Sequence, residues 1–435
     1  MTSFFFRSGA VGRNNPQRLF STVARDLTSQ HLSVKSEING VIASKQAVET
    51  MNVSNQFAEL VLHPALSCAR YLPRRLVIVI DAFDEGFSED LLRILEEEIP
   101  KLPQNFQFLI TSRHDRLIIP LRRCRHVTWR FIDVHKCSTQ DDVAVFARHR
   151  FKTIARHNEL EDWPQGPAMN EFLSRAAGLF IWAAVACDYI AESISPRETL
   201  DDLLQEELFD PDAVVRMDKL YAIILNNCPW SDRHFRKGFQ KGFGVVIVSA
   251  RPLSVTTIAD LLGIGNILDT YKPLAAIISG VFSDEPLQLA HLSVREYVSD
   301  RAHKWTVLPD VSLEDQKKWA INEPQQHQNL ALCCLRILSW ELPRFHSATI
   351  SVTNTSRQPG EVEPIKSGIS EALQYACDFW IHHVVAMPSL TPELDTAITK
   401  LVKEGLLAWM YICAENGTFQ GLKRVHEWYK VLEFW

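Results

Sequence analysis

Along the first third of the chain, apolar residues fall in short unbroken runs, and between the runs they recur every three or four positions. Unbroken runs of about four to eight residues suit buried strands, and the three-to-four spacing suits amphipathic helices. "SFFF" (3–6), "RRLVIVIDAFDE" (74–85), "QFLITSR" (107–113) and "RHVTWRFI" (125–132) read as four strands. The second has no polar alternation, which predicts a strand buried on both faces. Between them, "NNPQRLFSTVARDL" reads as a helix with Asn15 as cap, Pro16 at its first position and Leu19, Phe20, Val23 and Leu27 on one face. "SEDLLRILEEEI" reads as a helix capped by Ser88. "STQDDVAVFARHRFKTIA" is a third, with Ser138 and Asp141 at capping-box spacing. Apolar strands alternating with helices predict a parallel α/β sheet.

After about residue 150 the periodicity is mostly helical. A helix is expected through Ala191, and another unit opens at Ser195-Pro196. "ISGVFSDEPLQLAHL" reads as strand, acidic turn, strand. A polar stretch, 301–328, precedes "NLALCCLRILSW", and 351–364 reads as a loop. "ISEALQYACDFWIHHVV" and "ELDTAITKLVKEGLLAWMYICAE" close the chain as two amphipathic helices. The fold class expected is α/β followed by all-α.

Composition alters this picture little. The chain has 435 residues, is 46% hydrophobic and carries a net charge of −6, which gives no general attraction to nucleic acid or anionic membrane. The basic stretch "RHFRKGFQKG" reads as a solvated helix face. The nine cysteines (68, 124, 137, 187, 228, 333, 334, 377, 413) form no C-x-x-C pair and no Cys/His cluster at zinc spacing. They read as small buried hydrophobes of a reducing compartment. The most apolar long window, 176–191, is too short for a bilayer and contains Asp188. A cytoplasmic protein with no membrane segment is expected.

The candidate chemistry lies at the end of "LVIVIDAFDEG". Ligands of open α/β sheets gather at the carboxyl ends of the strands. A carboxylate there, Asp81, needs a positive partner, and Mg²⁺ would supply it. Asp84 and Glu85 could orient or deprotonate an attacking water. Arg113, at the end of the neighbouring strand, could meet a terminal phosphate. His291, in "LAHLSVREYV", is a second candidate phosphate contact. The phosphate-cradling pattern G-x-x-x-x-G-K-[ST] does not occur in the 435 residues.

These motifs, "SFFFRSGAVGRNNPQRLFSTVARDL", "LVIVIDAFDE", "FLITSRHD", "GLFIWAAVACDYI", "RPLSVTTIADLL" and "LAHLSVREYVSD", resemble the NACHT-type signal-transduction NTPases of fungi, relatives of animal and plant immune receptors. The resemblance implies an incomplete P-loop NTPase sheet (1–135), a helical domain (136–212), a winged-helix-like domain (213–305) and a C-terminal helical domain (320–435). It implies Asp81 as the Walker B magnesium ligand, Asp84 and Glu85 as the second acidic position, and Arg113 as the sensor arginine. His291 becomes the winged-helix histidine that touches a bound diphosphate. Gly178-Leu179-Phe180 lacks the proline of the family's Gly-x-Pro turn.

In that family a further strand and phosphate loop precede the "SFFF" strand. The expectation is therefore a nucleotide switch by descent, with Mg-ATP as ancestral cofactor and none held tightly by this chain. The alternative is a non-catalytic signalling scaffold or a truncated fragment. An in-frame phosphate loop about 15–25 residues upstream, one crossover helix away, would favour truncation. Partners are expected to be proteins, with self-association, and neither membrane nor nucleic acid. DNA binding through the winged helix rests on fold analogy alone.

Overall fold

The structure is a computed structural model that describes residues 2–6, 16–44, 51–72, 75–113, 118–130, 137–205, 210–309, 311–353 and 369–415, with side chains left undescribed at 137–139, 344–353 and 415. It forms two compact units, Met1–Ile132 and Asp133–Trp435. The first carries a small parallel sheet with helices, and among the described residues the regular structure of the second is helical apart from one short hairpin and a single bridge between Leu253 and Leu287. No described helix is long and apolar enough to cross a membrane.

The sheet of the first unit has three parallel strands, β1 (Thr2–Phe5), β2 (Leu76–Asp81) and β3 (Phe106–Ile110), with β2 in the middle. Phe5 stands opposite Asp81, and Ile80 opposite Ile110. Helix α1 (Leu19–Gln30) buries Leu19, Phe20, Val23, Ala24 and Leu27, the face expected from the spacing plus one alanine. Asn15 lies outside the described residues, and a short 3₁₀ turn at Pro16–Arg18 leads into α1. Helix α2 (Leu32–Ser44) follows. Then α3 (Val53–Phe57) passes through a π-turn into α4 (His63–Ser67). Ser88 caps α5 (Glu89–Arg93) by accepting the Leu91 N–H.

Two expectations about the sheet are corrected. β2 is not buried on both faces, because Leu76, Ile78 and Ile80 are buried while Val77, Val79 and Asp81 are half-exposed. A doubly covered strand needs a helical layer on each side. Phe5 and Leu109 are 49% and 57% exposed, so among the described residues one face lacks that cover. The segment 125–132 forms no fourth strand over its described part: Arg125 and His126 turn, and 127–130 has no ladder partner. It is held instead by His126 Nε2 on the Leu95 carbonyl (2.9 Å) and by Arg122 over the Trp129 ring. Residues 131–132 lie outside the described set.

The second unit opens with α6 (Cys137–His157), whose side chain at Ser138 is outside the description. The helix expected to run on to Ala191 is two, α7 (Gly166–Ala176) and α8 (Phe180–Ala191). Ala177 and Gly178 both take positive φ, 45° and 78°, and a left-handed residue ends a helix. Next come α9 (Pro196–Gln205), α10 (Ala213–Asn226), α11 (Arg233–Gly238), α12 (Gly244–Val248), α13 (Val255–Leu262) and α14 (Leu268–Tyr271). In α11 the basic side chains face outward and Phe235 is buried.

The strand–turn–strand segment is a hairpin of two-residue strands, β4 (Ile278–Ser279) and β5 (Gln288–Leu289). Helix α15 (Leu292–Ser299) follows it. Asp218 of α10, its side chain 1% exposed, is gripped through both oxygens by Arg301 at 2.7 and 2.8 Å.

Helix α16 (Leu313–Gln316) leads to α17 (Glu323–Thr353) and α18 (Glu371–Val385), whose first turn is capped by Ser370. The closing helix breaks at Gly405 into α19 (Pro392–Glu404) and α20 (Leu406–Glu415). Most of the expected 351–364 loop lies outside the described residues. One continuous core runs through this unit from Val143 to Cys413. The first unit has its own, from Phe4 to Leu121. Cys68, Cys187, Cys228, Cys334, Cys377 and Cys413 are buried free thiols, and burial pushes those of Cys187 and Cys228 up to about 12.

Candidate functional site

Asp81 is the last residue of the central strand. Its carbonyl accepts the Phe6 N–H (3.0 Å), so pairing with the β1 side persists to the strand's end. The chain then bends at Ala82, which takes φ 51° and ψ 50°. Left-handed backbone is disfavoured for a residue with a Cβ. The bend sends the Phe83 N–H to the Thr111 carbonyl (2.9 Å) and starts the 3₁₀ turn Phe83–Gly86. Gly86 is required there, because a Cβ at this position would fall 1.9 Å from the Phe6 ring.

Thr111, just past β3, holds the strand end together. Its hydroxyl oxygen accepts the Ala82 N–H (3.0 Å) and its proton goes to the Asp81 carboxylate. Two residues on, Arg113 meets Asp84 twice: its backbone N–H reaches Oδ1 at 3.1 Å and Nε reaches Oδ2 at 2.9 Å. Its Nη2 stands 3.8 Å from Glu85 Oε1. The Asp84 side chain is 1% exposed and that of Arg113 41%. A buried carboxylate is tolerable when a guanidinium meets it with good geometry.

Four of the five residues singled out in the sequence, Asp81, Asp84, Glu85 and Arg113, therefore stand together at the carboxyl ends of β2 and β3. Asp81 keeps acceptor capacity beside its bond from Thr111 and is half-exposed. That suits Mg²⁺, which takes one or two carboxylates and fills its remaining positions with water or phosphate oxygens. Asp84 is engaged with Arg113, so this arrangement does not offer its carboxylate to a water or a metal. Thr111 is the member the sequence reading passed over. In the sequence it only follows the strand run directly; that it faces the end of β2 comes from the sheet order.

His291 belongs to the second unit. It caps α15, its Nδ1 accepting the Ser293 N–H (3.1 Å) and lying 2.7 Å from the Ser293 hydroxyl. That hydroxyl is 2.7 Å from the Tyr221 hydroxyl of α10, whose pKa burial raises. His291 thus has a defined structural job at a helix start.

Compared with known proteins, no curated protein matches the chain. Residues 1–113 match the family described as Nephrocystin 3, N-terminal. The matched span covers β1 to β3 with Asp81, Asp84, Glu85, Thr111 and Arg113, and it ends before His291. Over that quarter or so of its length the chain is similar to this family.

Proposed function

We propose that the chain is a NACHT-type signal-transduction module, a nucleotide-dependent switch by descent that signals through protein partners and self-association. In this reading Asp81 is the magnesium ligand, Glu85 is the second acidic position, Asp84 anchors Arg113, and Arg113 is the sensor arginine. The hairpin β4–β5 and the helix α15 that His291 caps belong to a winged-helix-like domain, 213–305, and His291 is its diphosphate contact. Residues 136–212 are the helical domain, and 320–435 the C-terminal helical domain.

The observation that carries the proposal is the half-exposed Asp81 carboxylate on the central of the three described parallel strands, braced by Thr111, with Arg113 held on Asp84 three residues further on. Backbone N–H cradles and a lysine supply much of the grip on a triphosphate, and the motif that provides them does not occur in these 435 residues. The reading therefore includes weak binding of Mg-ATP by residues 1–435, with scaffolding as the working mode of this polypeptide.

Titration of residues 1–435 with Mn-ATP, followed by the electron paramagnetic resonance of the manganese, tests both parts. Association near or above about 1 mM that is lost in Asp81→Asn is the expected result. Micromolar affinity would refute the weak-binding part. Binding that Asp81→Asn leaves unchanged would remove Asp81 from the site.

A further inference from the structure

The second unit brings together three imidazoles that no part of the nucleotide reading uses. His327 lies in the second turn of α17, and His382 and His383 are adjacent in the last turn of α18. One ligating atom from each lies within 4.8 Å of the other two. Nδ1 of His327 is 2.9 Å from Nδ1 of His383. The ring centres form a near-equilateral triangle, at 5.1 Å for 327–383, 5.1 Å for 382–383 and 5.7 Å for 327–382. Three imidazoles around a tetrahedral Zn²⁺, each with its nitrogen at about 2.0–2.1 Å, place their ring centres about 5 Å apart. The rings already stand at that spacing.

The surroundings match what a metal-binding histidine needs. His383 is completely buried, and its Nε2 is 2.8 Å from the Tyr375 hydroxyl, itself fixed by the Ala250 N–H at 3.0 Å. A partner on the far nitrogen sets the tautomer and orientation of a metal-binding imidazole. In the metal-free arrangement one proton assignment satisfies the chain of groups. Ala250 N–H donates to the Tyr375 oxygen, Tyr375 O–H to Nε2 of His383, and Nδ1–H of His383 to Nδ1 of His327. A cation at the centre replaces this last bond, and the His383 proton moves to Nε2, where the tyrosine oxygen accepts it.

Arg295, whose charge bears on His327, is itself held by both oxygens of Glu323, at 2.7 and 2.6 Å. His382 is exposed, which opens the site to solvent, the source of a fourth, water ligand.

We propose that His327, His382 and His383 form a site for a divalent transition metal of the zinc class, joining the start of α17 to the end of α18. The site is independent of the nucleotide reading and stands or falls without it. Its three donors are neutral nitrogens, which favours Zn²⁺, Co²⁺ or Ni²⁺ over Mg²⁺ or Ca²⁺.

The test uses untagged, chelator-stripped protein of the full 435 residues, titrated with Zn²⁺ by calorimetry and with Co²⁺ by visible spectroscopy. The expected result is one equivalent of Zn²⁺ bound at about 1 µM or tighter, with Co²⁺ giving the strong visible bands of a tetrahedral site. His382→Ala, a surface change that leaves the core intact, should weaken binding at least tenfold, and Tyr375→Phe should weaken it by about tenfold through the far nitrogen of His383. Zn²⁺ should raise the melting temperature of the parent protein and not that of His382→Ala. Absence of stoichiometric Zn²⁺ binding, or Zn²⁺ binding that His382→Ala leaves unchanged, overturns the proposal.

Discussion

At the scale of single residues, the acidic strand end is built on an unfavourable backbone choice. Ala82 sits at φ 51° where glycine would be at ease. A Cβ there costs about 1–2 kcal/mol, against roughly 0.5–1 kcal/mol for the extra chain entropy a glycine loses on folding. Ala82→Gly should therefore stabilise the first unit by up to about 1.5 kcal/mol, and a thermal melt that shows a lower midpoint would contradict the left-handed turn. The sequence made Asp81 legible, because an apolar run that stops at an acid is a local pattern. It hid Thr111, whose role depends on which strand lies next to β2. It also hid the histidine triad. His382 and His383 are neighbours in "WIHHVV", but their third member is more than fifty positions earlier, and spacing rules for metal sites look for short separations.

At the scale of elements, the start of α18 is fastened to α13 and its approach by one carboxylate. Glu371 takes Arg251 at 2.6 Å, Ser254 at 3.2 Å and the Thr257 hydroxyl. Burial alone would raise its pKa, but these partners outweigh burial and hold it below the ordinary value of 4.5. A carboxyl group whose folded pKa is depressed stabilises the fold above its unfolded value and loses that contribution as pH falls through the folded one. Glu371→Gln should thus cost about 1 kcal/mol at neutral pH, a figure kept low because the side chain is 41% exposed. The variant should also lose less stability than the parent between pH 5 and pH 3. Denaturant melts across that range check both, and parallel curves for the two proteins would exclude the linkage.

Element types were easier to read than their ends. The breaks at Ala177-Gly178 and Gly405 escaped because apolar spacing continues across both, and over its described part, 125–130, the expected fourth strand is absent because β-propensity without a neighbouring ladder does not make a strand.

At the scale of the molecule, two separate cores predict two separate unfolding events. Ile80 is wholly buried in the first, and Ile80→Ala should cost about 2–5 kcal/mol there. Calorimetry of the full chain should show two transitions, of which this substitution lowers one and spares the other. A single transition that moves as a whole would argue for one cooperative unit.

The second core has a different implication. It runs unbroken into the last described helices: Tyr375 of α18 holds the Ala250 N–H, and Trp409 of α20 donates to the Cys377 carbonyl at 3.0 Å. Deletion mapping is a common way of assigning roles to stretches of a polypeptide. Cutting this one short of residue 415 would remove Trp409, Ile412 and Cys413 from the core and uncover what they pack against, so a silent truncation would report a ruined scaffold instead of a missing task. Point changes on the outer surface are the tool that suits this half of the protein.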